Sequence, residues 1–109
     1  MKKILEKGIS LSPMGVNNKA FSKKDALELV ERLFILKIPI LGGDVCEINE
    51  YNFIEYNYDN WSCNKQSDES DETYLTRSIL RTKEYINNYP IESNKIFFAF
   101  VLGSNMEMF

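Results

Sequence analysis

Apolar residues recur at helical spacing in two stretches of the chain and crowd together without a period in a third. From Ser22 onward, Ala26, Leu29, Val30, Leu33 and Leu36 fall three or four positions apart, the stripe of a helix that buries one side. Lys24, Glu28, Glu31 and Arg32 take the other side. Ser22 is a good N-cap, and Asp25 three residues later approximates a capping box. Ile38-Pro39 closes this helix, because a residue before proline avoids the α region. A second helix is predicted from a Ser70 cap, with Leu75, Ile79, Thr82 and Ile86 inward and Tyr74, Arg77, Arg81 and Tyr85 beside or opposite them. Asn87-Asn88 and Pro90 stop it. Lys95 to Leu102 is almost wholly apolar, as expected of a central strand covered on both faces.

Between the helices, Ile40 to Ile48 reads as a strand interrupted at Gly42-Gly43, a pattern that marks a bulge or a close backbone approach. After a turn at Asn49 to Asn52, Phe53 to Tyr58 alternates and is expected to pair back as a hairpin. Asn57 to Asp71 is polar and long, the mark of a functional loop. Met1 to Lys7 forms a short helix ahead of Gly8, and Ile9 to Asn18 is an irregular connection containing Pro13 and Gly15. Met106 to Phe109 is left to add edge contacts to the sheet, with no element assigned. The expected fold is therefore α+β: a small antiparallel or mixed three-stranded sheet packed on two main amphipathic helices, in the order α-α-β-β-α-β. One undivided domain over residues 1–109 accommodates it.

Composition narrows the function classes. With 44% hydrophobic and 27% charged residues the chain is an ordinary globular protein. No apolar run approaches the roughly 20 residues that span a bilayer. The basic start, Met1 to Gly8, has no apolar segment after it and is not a secretory signal, so a cytoplasmic location is expected. Cys46 and Cys63 lack the CxxC spacing and are expected as reduced, partly buried thiols. The chain has no histidine, which rules out Ser-His, Cys-His and zinc-His chemistry within it.

The net charge of −3 hides an asymmetry. Residues 1–43 carry eight basic against four acidic side chains, a net +4. Residues 44–72 carry nine acids against Lys65 alone, a net −8. Such a block repels nucleic acid and anionic membrane and attracts a basic partner. Asp68 to Glu72 also sits where acids favour a helix start with no partner at all.

Two local patterns carry candidate chemistry. In Ile38-Pro39-Ile40-Leu41-Gly42-Gly43-Asp44-Val45 the glycines permit close approach, but the helix start and lysine of a phosphate-cradling loop are missing. In Tyr56-Asn57-Tyr58-Asp59-Asn60-Trp61-Ser62-Cys63, rings of the kind that dominate binding hot spots stand beside Asx-turn formers. Trp61 has two readings: a plug for one end of the core, or part of an interface. A carboxylate metal site from Asp44, Glu47, Glu55 and Asp59 is disfavoured, since Asp44 and Glu47 point to opposite faces of a strand.

Taken together, Gly8-Ile9-Ser10-Leu11, Gly15-Val16-Asn17-Asn18, the capped Ser22 to Leu27, Gly42-Gly43-Asp44-Val45, Tyr58-Asp59-Asn60-Trp61 with Cys63, and Tyr74 with Arg77-Ser78 resemble one family. It is immunity family forty, the fortieth-numbered class of immunity proteins from bacterial polymorphic-toxin systems. The resemblance covers most of residues 4–90. It departs at Lys19-Ala20-Phe21, where a tryptophan is expected before the capped helix. The resemblance implies a non-enzymatic antidote that binds a cognate toxin protein and masks its active or substrate-binding surface.

The expected binding face is Asp44, Glu47, Glu55, Tyr58, Asp59 and Trp61, directed at a toxin with a basic surface, with no catalytic residue, cofactor or metal. Neither nucleic acid nor membrane is an expected partner, and the chain is expected as a monomer or weak homodimer. Two other readings stand beside it: a small interaction adaptor using an exposed hairpin edge, and, less favoured, a metal-dependent hydrolase.

Overall fold

The computed structural model describes residues 2–91 and 93–103. In chain order it contains α1 (Lys2–Glu6), β1 (Ile9–Ser10), a 3₁₀ turn (Ser12–Met14), β2 (Lys19–Phe21), α2 (Lys23–Ile35), β3 (Ile40–Ile48), β4 (Ile54–Ser62), α3 (Asp71–Asn88) and β5 (Ile96–Leu102). The strands form one antiparallel sheet in the order β1-β2-β5-β3-β4. The three-stranded sheet and the order α-α-β-β-α-β expected from the pattern are therefore incorrect: the sheet has five strands, and two of them lie between the first two helices. β1 and β2, between the first two helices, are two and three residues long, too short to display the period-2 alternation that identifies a strand. Met106 to Phe109 lie outside the described residues.

β5 occupies the middle of the sheet, as its apolar run predicts. Phe98 and Phe100 point into the core shared with the helices, where Phe21, Leu29, Leu33, Val45 and Trp61 join them. Phe97 and Ala99 point the other way and meet a smaller cluster of Leu11, Ala20 and Cys46, covered by Met14 and Val16. The connection over residues 11–16 is thus a lid on the second sheet face.

Both long helices start as the caps demand. The Ser22 hydroxyl accepts from the Asp25 amide at 3.4 Å, and the Ser70 hydroxyl from the Thr73 amide at 3.1 Å. α2 buries Ala26, Leu29, Val30 and Leu33. It stops at Ile35, so Leu36, expected on the buried stripe, is half exposed. α3 buries Ile79, Thr82 and Ile86 together with Tyr74 and Ser78. Ser78 is buried for a reason: its hydroxyl accepts the Ile40 amide at 3.1 Å where β3 begins.

Candidate partner-binding face

β4 is an edge strand, and it is longer than its polar composition suggests. Asp44 pairs with Asn60 and Cys46 with Tyr56, so Val45 of β3 faces three residues of β4, Asn57, Tyr58 and Asp59. This enlarged bulge bends the strand and re-aims its side chains. Beyond it the ladder resumes at Gly43–Trp61 and Gly42–Ser62. The resumption depends on glycine. A Cβ on Gly43 would lie 2.3 Å from Trp61 Cη2 and 2.3 Å from the Ala99 carbonyl oxygen, and one on Gly42 would lie 2.2 Å from the Trp61 carbonyl oxygen.

At the crest of the bulge Tyr58 has φ 73° and is 87% exposed. A tyrosine in the left-handed region is an outlier that its surroundings must impose. Tyr89, just past the end of α3, helps to impose it. The Asn57 amide donates to the Tyr89 hydroxyl at 2.9 Å, and that hydroxyl donates to Asp59 Oδ2 at 2.6 Å. Asn57 Oδ1 in turn accepts the Asp59 backbone amide at 2.9 Å, an Asx turn within the bulge. The Tyr89 ring leans on Tyr85 and Phe98, with centroids 5.8 and 5.6 Å away. Burial, then the bond to Asp59, pushes its phenol up to about 12. Tyr89 therefore stays a neutral donor at any physiological pH.

The six side chains expected on the face do not all meet. Glu47 and Glu55 stand opposite each other across the β3–β4 ladder. They share a surface hollow with Met14, Tyr56, Asn57 and Tyr58. Among the described residues neither glutamate has an ion pair. Asp59 lies beside Tyr58 but is engaged by Tyr89. Asp44 alternates onto the opposite sheet face with Cys46. There burial, with help from the Asp44 charge, pushes the Cys46 thiol up to about 12, so it is inert as a nucleophile. Trp61 is only 3% exposed and takes the core reading. It donates Nε1–H to Thr82 Oγ1 at 3.0 Å, stacks on Tyr85 at 4.8 Å and meets Phe98 and Phe100 edge-on.

Two further acids of the block, Glu69 and Asp71, are engaged within the fold. The Arg77 guanidinium grips Glu69 with two contacts of 2.7 Å, reaches the Asn64 carbonyl at 2.7 Å and donates to Cys63 Sγ at 3.1 Å. Lys65 pairs with Asp71 in the first turn of α3. Tyr74 donates to the Cys63 carbonyl at 2.6 Å. The segment between β4 and α3 is therefore clamped, not loose. Arg77 holds the Glu69 carboxyl down at about 2. Among the described residues, no three Cys, Asp or Glu side chains gather where a metal ion could sit.

Sequence reasoning missed Tyr89 and the partnering role of Asn57. Tyr89 lies 30 residues from Asp59, and only the turn chemistry of Asn57-x-Asp59 hinted at a fixed shape. The family model described as Immunity protein 40 matches residues 10–102. The chain belongs to the Immunity protein 40 family. The span matched in this Immunity protein 40 chain contains α2, α3, the bulge and Tyr89, and ends with β5. No curated protein and no solved structure matches it. No helix among the described residues is long and apolar enough to cross a membrane.

Proposed function

We propose that this chain is the antidote of a bacterial polymorphic-toxin system: a non-catalytic, cytoplasmic protein that binds a cognate toxin and masks its active or substrate-binding surface. Its membership of the Immunity protein 40 family carries this reading. The contact face is the outer edge of the β3–β4 hairpin, with Glu47, Glu55, Tyr58 and Asp59 as the touching side chains. Asp44 contributes charge from the other sheet face, and Trp61 supports the bulge from the core. Glu47 and Glu55, carboxylates with no ion pair among the described residues, favour a basic toxin surface and speed its capture by electrostatic steering.

The test is binding to the toxin module encoded beside this chain. Capture is expected to be fast at low salt and to slow as sodium chloride is raised, while purified toxin loses activity in proportion to the bound fraction. Absence of binding overturns the reading, and a rate indifferent to salt overturns its electrostatic part. The adaptor alternative, strand addition to the hairpin edge, is disfavoured by the bulge: three of the nine β4 residues leave the regular ladder, which blunts the edge as a template.

A further inference from the structure

We infer that Tyr58 is the anchor by which this chain grips its partner, held ready by the β4 bulge, and that the partner receives it in a cleft rimmed by arginine or lysine side chains. The inference rests on the toxin-binding reading and specifies its contact. Tyr58 combines two properties that folding alone does not favour: a left-handed backbone and a ring almost wholly in solvent. Its ring and hydroxyl have no hydrogen-bond or ring partner among the described residues, so nothing inside the fold is gained by placing a tyrosine there. Glycine would suit the backbone better.

The position is nevertheless held from both sides. Asn57 and Asp59 are tied to each other and to the Tyr89 hydroxyl, and two residues on Trp61 is fixed to Thr82. A rigid, pre-placed tyrosine offers large contact area with little left to order on binding, the property that makes such rings hot spots. The rim chemistry follows from the neighbours. Glu47 and Glu55 share the hollow beside Tyr58 and have no ion pair among the described residues. A guanidinium or ammonium group can satisfy them while lying against the ring.

The experiment measures affinity of the full chain for its cognate toxin module, with thermal unfolding of each variant in parallel. Tyr58→Gly is expected to raise the melting temperature, because it relieves the backbone, and to weaken binding by roughly 30-fold or more. Tyr58→Phe keeps most of the affinity. Tyr89→Phe removes the hydroxyl that positions the bulge, so it weakens binding in the wild-type background but adds nothing once residue 58 is glycine. Modification of the toxin's arginines and lysines with phenylglyoxal and acetic anhydride should abolish capture. Wild-type affinity in Tyr58→Gly overturns the anchor, and undiminished capture of modified toxin overturns the basic rim. If the unmodified pair does not bind, the toxin-binding reading falls and this inference with it.

Discussion

The Trp61 indole donates its N–H to the hydroxyl of Thr82 at 3.0 Å, and both side chains are buried. This one bond joins the end of the edge strand to the middle of α3, and it explains why the hydroxyl of Thr82 is buried. A buried donor that loses its acceptor bears its full desolvation penalty. Thr82→Val preserves shape and removes only that acceptor, so it should lower stability by about 1–3 kcal/mol in urea unfolding. If Trp61 is first changed to Phe, the same substitution should cost much less, because the two side chains share one interaction.

Gly43 is the socket for the same indole. Ala at this position brings a methyl group onto both the ring and the Ala99 carbonyl. A loss of about 1–3 kcal/mol or more is expected, the usual range for an overfilled core. Trp61→Leu should relieve only part of it, since the carbonyl contact remains; calorimetry on the single and double variants checks both statements.

Glu47 and Glu55 face each other across the ladder, and like charges in that position are unfavourable. Glu55→Gln should therefore stabilise the free protein by about 0.2–1 kcal/mol. It should also slow toxin capture at low salt, with a smaller difference at high salt. Stopped-flow association at two ionic strengths, beside a denaturant curve, separates the two effects.

Acid stability should report on the Arg77 clamp. Arg77 lowers Glu69 from its ordinary 4.5 to about 2. A carboxyl depressed on folding contributes stability above its unfolded value and loses it as pH falls through the folded one. The Glu69 contribution is thus complete above about pH 4.5 and disappears between there and about pH 2. Melting temperature followed over that window should fall less steeply in Glu69→Gln, which begins lower at neutral pH.

Much of this architecture can be read from residues alone. Ser22 and Ser70 mark both helix starts, the 96–102 run marks the middle strand, and Gly42-Gly43 marks the close approach. β1 and β2 escape notice because two or three residues cannot show a period. β4 beyond Tyr58 reads as loop because Asn57, Asp59 and Asn60 carry turn chemistry; the strand resumes only because glycines on β3 admit Trp61. The acidic and aromatic character of the proposed face is equally legible. Its division is not: which acids are already engaged depends on Arg77, Lys65 and Tyr89, partners distant in sequence or met only in three dimensions. Charge counting alone cannot separate Glu69, clamped by Arg77, from Glu55, which has no ion pair among the described residues.

The three-against-one pairing at Val45 also bears on how this protein behaves in a crowd of its own copies. Open sheet borders invite sister chains to stack against them, the first step toward fibrils, and protrusions on such borders are a known safeguard. Excising Tyr58 and Asp59 would leave one residue opposite Val45 and make the border flush. That shortened chain should scatter more light on concentration and bind fibril-sensing dyes sooner than the parent. A single protruding turn would then both present the aromatic ring and keep the molecule dispersed.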